Sequence, residues 1–427
     1  MMKTKKLKPQ QIADELNKKT VDLLKNQIIT DTSPGTIVKD FNILLDFIAS
    51  QKVQVTPEIN LLGMKYLFTL NEKLSKPVKV SLKRPQQHAF PNINGLYLLL
   101  RASGFGKIIK EGSKNYLILD NKMINNWKHL NHTEQYFSLM KIWLFYCDPE
   151  IIRERCFGTF NMGRCITFIL EHLKRKLVVN KENEDDARIL LEILESSIGL
   201  YNVVLAELFG LIKVEKKEPS QDKGIKISRV ERTPFGLAAA KLMQKIWKNE
   251  VYDFFIYAIN DCEIEFKQWQ AYFRLFFPEL KKDLSLPEIE YIEGLYVFKI
   301  SLGNVWREIS ITSQYDLDSL CTFILDIFDF DYDHLYSVKV KNTFGGFTEY
   351  CHPAMDAVCY TNEIAIGELG LQEGGSMKFI YDFRDWWEFE ILLKEIREIK
   401  NKDAEPELLK KHGTPPEQYP SEDDWDD

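Results

Sequence analysis

The sequence predicts a multi-domain α+β protein, with a helical N-terminal lobe that holds two winged-helix-like units and a C-terminal α+β sheet domain. Apolar residues recur at helical spacing through most of the first 285 residues. Twice, a helix pattern ends at a glycine and a short hairpin with a charged tip follows. Beyond residue 287, apolar residues alternate with polar ones at a period of two. The predicted parts are a helical region (1–84), a winged-helix-like unit plus helices (85–180), a second such unit (181–285), an α+β domain (286–400) and an acidic tail (401–427).

The first winged-helix-like unit is predicted from a helix over 93–103, whose leucines share one face. Gly104 and Gly106 end that helix. Strands over 107–110 and 116–119 then flank a polar turn. This order is typical of a small helical bundle that is closed by a two-stranded wing.

The second unit repeats the order with a longer basic tip. A helix over 198–208 stops near Gly210, and strands over 211–214 and 225–230 follow. Wing lysines are the predicted nucleic-acid contacts, because their charges add against a phosphate backbone. They are Lys107, Lys110, Lys114, Lys216, Lys217, Lys223 and Lys226.

The C-terminal domain carries aromatic and acidic motifs in a fixed order. They are Val305-Trp306-Arg307 between two predicted strands, a helix over 317–328, Asp331-Tyr332-Asp333-His334-Leu335, the segment from Tyr381 to Trp387, and Pro415-Pro416-Glu417. In this order, residues 295–393 resemble the plasmid open-reading-frame-three-like family, which also occurs among passenger proteins of mobile elements. The resemblance covers the C-terminal domain alone.

The resemblance implies a fold and a link to mobile elements, but no reaction. It singles out Trp306, Arg307, Asp333, His334, Asp382, Asp385 and Trp387 as family-motif or ligand residues. Where the family often has histidines, this chain has Cys321 and Phe389, so those histidine positions supply no site here. A tryptophan in these motifs either stacks a ligand ring or packs in the core, and the exposed member of the Trp386–Trp387 pair is the better ligand candidate.

The net charge of −7 is the sum of a basic N-terminal part and an acidic C-terminal part of the chain. Residues 1–250 carry 40 Lys and Arg against 27 Asp and Glu, whereas residues 251–427 carry 16 against 36. The split predicts nucleic acid as a partner of the basic lobe and a protein or basic ligand as a partner of the acidic domain. The alternative to such partners is that the opposite charges only attract the two lobes to each other or keep them soluble.

Several function classes are disfavoured by missing motifs. The chain has no Walker loop, Gly-x-Gly-x-x-Gly, Gly-x-Ser-x-Gly or His-Glu-x-x-His. No apolar run approaches the ~20 residues that a bilayer span needs, and the seven cysteines form no Cys-x-x-Cys pair. We therefore expect a cytoplasmic protein without cofactor or membrane contact.

The leading hypothesis is a non-enzymatic nucleic-acid-associated or protein-interaction factor. The enzymatic alternative is a metal-dependent hydrolase or nuclease that uses Asp331, Asp333, His334, Asp382 and Asp385, because carboxylates and imidazole suit Mg²⁺ or Mn²⁺. The structural alternative to a metal site is that these aspartates fix turns and that His334 packs beside Trp387. A third hypothesis, a structural assembly subunit, predicts a large exposed apolar patch.

Overall fold

The mixed α+β class is confirmed in the computed structural model, which separates into two compact units, residues 1–287 and 288–427. The structure describes residues 7–154, 163, 165–166, 168–173, 176–178, 189, 194–217, 225–250, 266–287, 290–341, 346–357, 359–399, 401 and 404–419. No helix in these ranges is long and apolar enough to cross a membrane.

The first unit is mainly helical. Its helices are α1 (Pro9–Asp14), α2 (Lys18–Lys25), α3 (Ile37–Ala49), α4 (Met64–Lys73), α5 (Pro91–Ala102), α6 (Asn121–Lys128), α7 (His132–Phe145), α8 (Leu200–Leu208), α9 (Pro234–Glu250) and α10 (Phe266–Arg274). Its strands are β1 (Val53–Val55), β2 (Gly106–Glu111), β3 (Lys114–Leu119), β4 (Lys176–Val178), β5 (Ile212–Lys217) and β6 (Lys226–Arg232). Asn17, Asp120 and Asn131 begin α2, α6 and α7, because each side chain accepts a hydrogen bond from a first-turn amide.

Both predicted hairpins are present, and each gains a third strand. The orders are β1-β3-β2 and β4-β6-β5, and every pairing is antiparallel. In each sheet, a strand from before the preceding helix pairs with the last strand of the hairpin, as Val53 pairs with Leu117. β4 lies within a stretch, 134–178, whose apolar pattern predicts only helix, so that expectation is wrong for 176–178. The winged-helix assignment itself stays a prediction.

The helices that precede the two hairpins pack against each other. All twelve residues of α5 are buried, and so are Tyr201–Leu208 of α8. A Cβ added at Gly95 of α5 would lie 2.9 Å from Cγ of Leu205, so glycine allows this close approach. Trp143 of α7 also contacts α8, because its indole Nε1 donates to Asn202 Oδ1 at 2.8 Å. These two helices are therefore core elements of the first unit.

Three glycines let backbone meet backbone where α3, α8 and α9 come together. A Cβ at Gly35 would lie 2.1 Å from the carbonyl oxygen of Leu208, and a Cβ at Gly236 would lie 1.9 Å from that of Leu211. Gly210 has φ of +73°, and a Cβ there would lie 2.3 Å from the carbonyl oxygen of Pro34. None of the three positions leaves room for a side chain.

The second unit is one antiparallel sheet with a helix on one face. Its elements are β7 (Leu295–Leu302), β8 (Val305–Thr312), α11 (Leu317–Phe328), β9 (Tyr336–Lys341), β10 (Phe347–Cys351), β11 (Ser376–Tyr381), β12 (Trp387–Arg397) and β13 (Glu407–His412), and the strand order is β10-β9-β11-β12-β7-β8-β13. Asp316 begins α11 by accepting from the Ser319 amide. Phe328 of α11 meets Phe389 of β12 edge to face at 5.1 Å.

The predicted acidic tail (401–427) contains a strand in its first part. Glu407–His412 forms β13, which pairs with β8 along the edge of the sheet. Arg307 explains the attachment: its side chain is 3% exposed, Nη1 donates to His412 O at 3.0 Å and Nε donates to Ile327 O at 3.1 Å. Residues 420–427 lie outside the described part of the chain.

Trp306 is half-buried, although its place between two strands predicts a core residue. Its ring stacks on His412 at 5.6 Å, and Lys299 Nζ lies 5.0 Å from the ring centroid. Side chains alternate along β8, so the neighbouring Arg307 is the one that reaches α11. The Trp-Arg motif therefore fixes the β8–β13 edge.

We expect Gly210→Ala to lower the free energy of unfolding of the first unit by at least about 2 kcal/mol, because it adds a left-handed strain and an atom against a carbonyl. Gly63→Ala is the control, since nothing lies within 4 Å of its Cβ position, and we expect it to cost under about 1 kcal/mol. Denaturant unfolding followed by far-UV circular dichroism measures both. Equal losses for the two variants would show that the Pro34–Gly210 approach is loose.

Arg307→Met should lower the free energy of unfolding of the second unit by about 1.5–3 kcal/mol, because it leaves buried carbonyls without their donor. Lys299→Met makes the same chemical change on the neighbouring strand, where a half-exposed cation–π contact contributes only about 0.5–1 kcal/mol. Denaturant unfolding followed by tryptophan fluorescence compares the two. If both variants lost the same amount, Arg307 would not hold β13 in place.

Candidate functional site

Two turns of the second unit meet at one end of its sheet. The Asp382 amide, in the turn between β11 and β12, donates to the carbonyl oxygen of Leu335 at 3.1 Å. Asp382 has φ of +54° and is 5% exposed, and its Oδ1 accepts from the Arg384 amide at 2.9 Å. The Trp386 amide donates back to Asp382 O at 2.7 Å. Asp382 therefore fixes its own turn and joins it to the segment from Asp331 to Leu335, which we call the Asp-rich turn.

Tyr381 supports the Asp-rich turn from below. Its ring is buried, and its hydroxyl donates to Asp331 O at 2.6 Å while accepting from the His334 amide at 3.2 Å. Burial raises the pKa of Tyr381, so the hydroxyl keeps its proton and stays a donor. Tyr381 begins the motif segment that ends at Trp387, but the motif predicts no role for it.

Gln418 and Tyr419 complete the cluster from the end of the chain. Gln418 Oε1 accepts from the Asp331 amide at 2.6 Å, and the Tyr419 hydroxyl donates to Asp333 Oδ2 at 2.5 Å. That hydrogen bond lowers the pKa of Asp333 and raises the pKa of Tyr419. Sequence reasoning missed both residues, although the Pro415-Pro416-Glu417 motif directly precedes them.

His334 lies between the two carboxylates that the motifs contribute. Its Nε2 is 3.4 Å from Asp382 Oδ2, 3.7 Å from Asp333 Oδ1 and 3.1 Å from the Tyr419 hydroxyl. The structure thus brings Asp333, His334 and Asp382 together. The expected contact with Trp387 is replaced by an edge-on contact of His334 with Tyr381 at 6.0 Å.

The carboxylates of the site are directed at hydroxyl, amide and imidazole groups. Asp333 Oδ1 accepts from Gln418 Nε2 at 3.3 Å and lies 3.2 Å from the Tyr381 hydroxyl, and Oδ2 accepts from Tyr419. Within the described ranges, no group of three or more His, Cys, Asp or Glu side chains is placed to hold a metal ion. Asp382 Oδ1 bonds a backbone amide of its own turn, as the turn-fixing hypothesis predicts.

Aromatic side chains surround the cluster and face solvent. Trp386 is 53% exposed and lies 6.3 Å from the ring of Phe383, which is 40% exposed. Trp386 has φ of +56°, a conformation that a bulky residue rarely adopts. Trp387 is half-buried and packs edge-on against Phe330 at 5.1 Å. We name the exposed set the aromatic–acidic patch: Tyr332, Asp333, Leu335, Phe383, Asp385, Trp386 and Tyr419.

The wing lysines form no uniform basic strip where the structure describes them. Lys107 pairs with Asp120 at 2.6 Å, and Lys216 lies 3.5 Å from Glu207. Lys110, Lys114 and Lys226 are exposed, and Glu111 lies beside the first two. The side chain of Lys217 and all of Lys223 lie outside the described residues.

Comparison with known proteins supports the family resemblance. A family model described as plasmid pRiA4b ORF-3-like protein matches residues 295–424, a range that includes β13 and Tyr419. A crystal structure of a protein of unknown function, MM3350 from Methanosarcina mazei Go1, is similar at 19% identity, covers 29% of this chain and 72% of its own, and has a TM-score of 0.26. No curated protein matches the chain. The C-terminal domain of this protein is therefore a plasmid pRiA4b ORF-3-like domain.

Proposed function

We propose that the protein is a non-enzymatic protein-interaction factor, whose C-terminal domain docks a partner protein through the aromatic–acidic patch. The observation that carries the proposal is the exposure of Trp386, Phe383, Tyr332 and Tyr419 around one set of fixed carboxylates. Clustered exposed apolar surface marks interaction sites in soluble proteins. Tryptophan and tyrosine are also the residues that most often anchor protein interfaces.

The rigidity of the patch supports docking. The two turns that carry it are joined by the hydrogen bond from Asp382 to Leu335, and Gln418 holds the Asp-rich turn from a third segment. A surface that is ordered before binding loses less conformational entropy when a partner arrives. The same hydrogen bonds keep Asp333 directed at Tyr419, so the cluster organises the surface.

The proposal gives the first unit a scaffolding role. In helix-turn-helix proteins, DNA is read by a recognition helix that enters the major groove. The helices before the two hairpins, α5 and α8, are buried against each other and have no face for a groove. Glu207 also draws Lys76 and Lys216 into ion pairs, at 2.9 and 3.5 Å. The link to mobile elements remains a prediction from the family resemblance.

A peptide-library selection on the full-length chain tests the docking proposal. We expect the wild-type protein to enrich peptides that Trp386→Ala no longer captures, because the exposed indole supplies the largest apolar contact of the patch. Phe347→Ala, which removes an exposed ring from β10 at the other edge of the sheet, is the matched control and should enrich the same peptides as wild type. Identical selections from Trp386→Ala and wild type would remove the patch from consideration.

The scaffolding role of the first unit predicts that the full-length chain has no salt-sensitive affinity for duplex DNA or RNA at physiological ionic strength. Fluorescence anisotropy across a salt series measures this, since each neutralised phosphate steepens the slope of log affinity against log salt by about 0.9. Lys110→Glu with Lys114→Glu is the diagnostic variant, because both lysines are exposed on the first wing. A salt-sensitive affinity that this variant weakens would restore nucleic-acid binding by that wing.

A further inference from the structure

We infer that the aromatic–acidic patch takes an arginine-rich segment of a partner protein. The inference rests on the proposed function and names the chemistry of the partner. Charge is the first reason: residues 288–427 carry 12 Lys and Arg against 30 Asp and Glu. Within the patch, Asp333 and Asp385 are exposed, as is the neighbouring Asp331. A cationic segment is complementary to this surface, and a nucleic acid is repelled by it.

The exposed rings provide the second reason. Trp386 and Phe383 meet at an interplanar angle of 60°, so they form an open aromatic corner, and Asp385 lies in the same turn. A cation over an indole face gains a favourable interaction with the ring electrons. Arg384 lies in the same turn and is exposed. Among the described residues, it makes no cation–π contact with either ring of the corner.

Arginine fits this surface better than lysine for a geometric reason. A guanidinium group is planar, so it stacks on an aromatic ring and still donates in its own plane to a carboxylate. The Trp386–Phe383 corner and Asp385 offer that pair of partners on one turn. A lysine ammonium is a compact and strongly hydrated charge, which makes one of these contacts at a time.

A second subsite lies on the Asp-rich turn. Tyr419 is 50% exposed and its hydroxyl holds Asp333, while Tyr332 is 56% exposed. The hydrogen bond of the Tyr419 hydroxyl lowers the pKa of Asp333, so this carboxylate stays ionised at neutral pH and below. The Asp382–Leu335 hydrogen bond joins the two turns. Two aromatic–carboxylate subsites on one rigid surface suit a segment with several arginines.

Fluorescence polarisation with labelled peptides tests the inference on the full-length chain. The probes are an arginine-rich peptide, a lysine-rich peptide of equal length and charge, and a neutral glutamine-rich peptide. We expect the arginine-rich peptide to bind at least tenfold more tightly than the lysine-rich one, and the neutral peptide not to bind. Trp386→Ala should weaken arginine-peptide binding about fivefold, and Asp385→Asn about threefold, a range that a single cation–π or charge contact supplies.

Two exposed glutamates outside the patch provide a matched control. Glu363→Gln with Glu407→Gln removes like charges from other segments of the second unit and should leave arginine-peptide affinity unchanged. Equal binding of the two basic peptides, lost in this control variant and kept in Trp386→Ala, would replace the inference with non-specific charge attraction. Circular dichroism confirms that each variant folds, and Trp386→Phe, which keeps a ring, should retain part of the affinity.

Other outcomes separate this inference from the proposed function. If library-selected neutral peptides bind in a Trp386-dependent way and arginine-rich peptides do not, the docking function holds and the arginine preference is wrong. If no peptide binds in a Trp386-dependent way, both fail. If Lys3→Gln, Lys5→Gln and Lys6→Gln together raise peptide affinity tenfold, the chain's own basic N-terminus occupies the patch, and the assignment to a partner protein is overturned.

Discussion

The hydrogen bond from the Asp382 amide to the carbonyl oxygen of Leu335 is the contact on which the whole candidate site depends. It joins two turns that are far apart in sequence, and it requires a left-handed backbone at Asp382. The same turn holds Trp386 in a second left-handed conformation, with its indole in solvent. Strained residues of this kind persist only where surrounding contacts fix them. Here the fixing contacts come from Arg384 and Trp386 amides, so the turn stabilises itself.

The proposed scaffolding role of the first unit would give a repeated sequence order a use other than DNA binding. The helix–glycine–hairpin order occurs twice, and the helix before each hairpin would be the recognition helix of a DNA-binding protein. In this chain Gly95 lets α5 and α8 approach closely, and both helices become core. Under the proposed scaffolding role, the wing charges have no recognition helix to act with, and phosphate contacts alone position a protein while base contacts specify the sequence.

Local patterns account for the parts of the fold that the sequence predicts well. The hairpins, α11 and the Asp-rich turn each depend on residues within a few positions of one another. The pairing of β1 with β3, and of β13 with β8, depends on residues far apart, which periodicity cannot detect. Strand alternation predicts that Trp306 and Arg307 face opposite ways, but not that the arginine is the buried one.

The candidate site divides in the same way. Motif residues Asp333, His334 and Asp382 do come together, as two turns at one sheet edge allow. Tyr419, which lies 86 positions from Asp333, was invisible to motif reasoning because β13 had to be placed first. The hydrogen bond from Tyr419 to Asp333 changes the chemistry that we expect of this carboxylate. With Tyr419 and Gln418 as donors, Asp333 is held by hydrogen bonds that a hard metal ion would have to displace.

The distribution of fixed and free groups in the cluster fits the proposed docking role. The hydrogen bond from Tyr419 holds the Asp333 carboxylate in place, lowers the pKa of Asp333 and raises the pKa of Tyr419. The aromatic surface around these two groups is exposed. Fixed carboxylates beside exposed rings are what the inferred arginine-rich segment requires, because one guanidinium group can stack on a ring and still donate to a carboxylate.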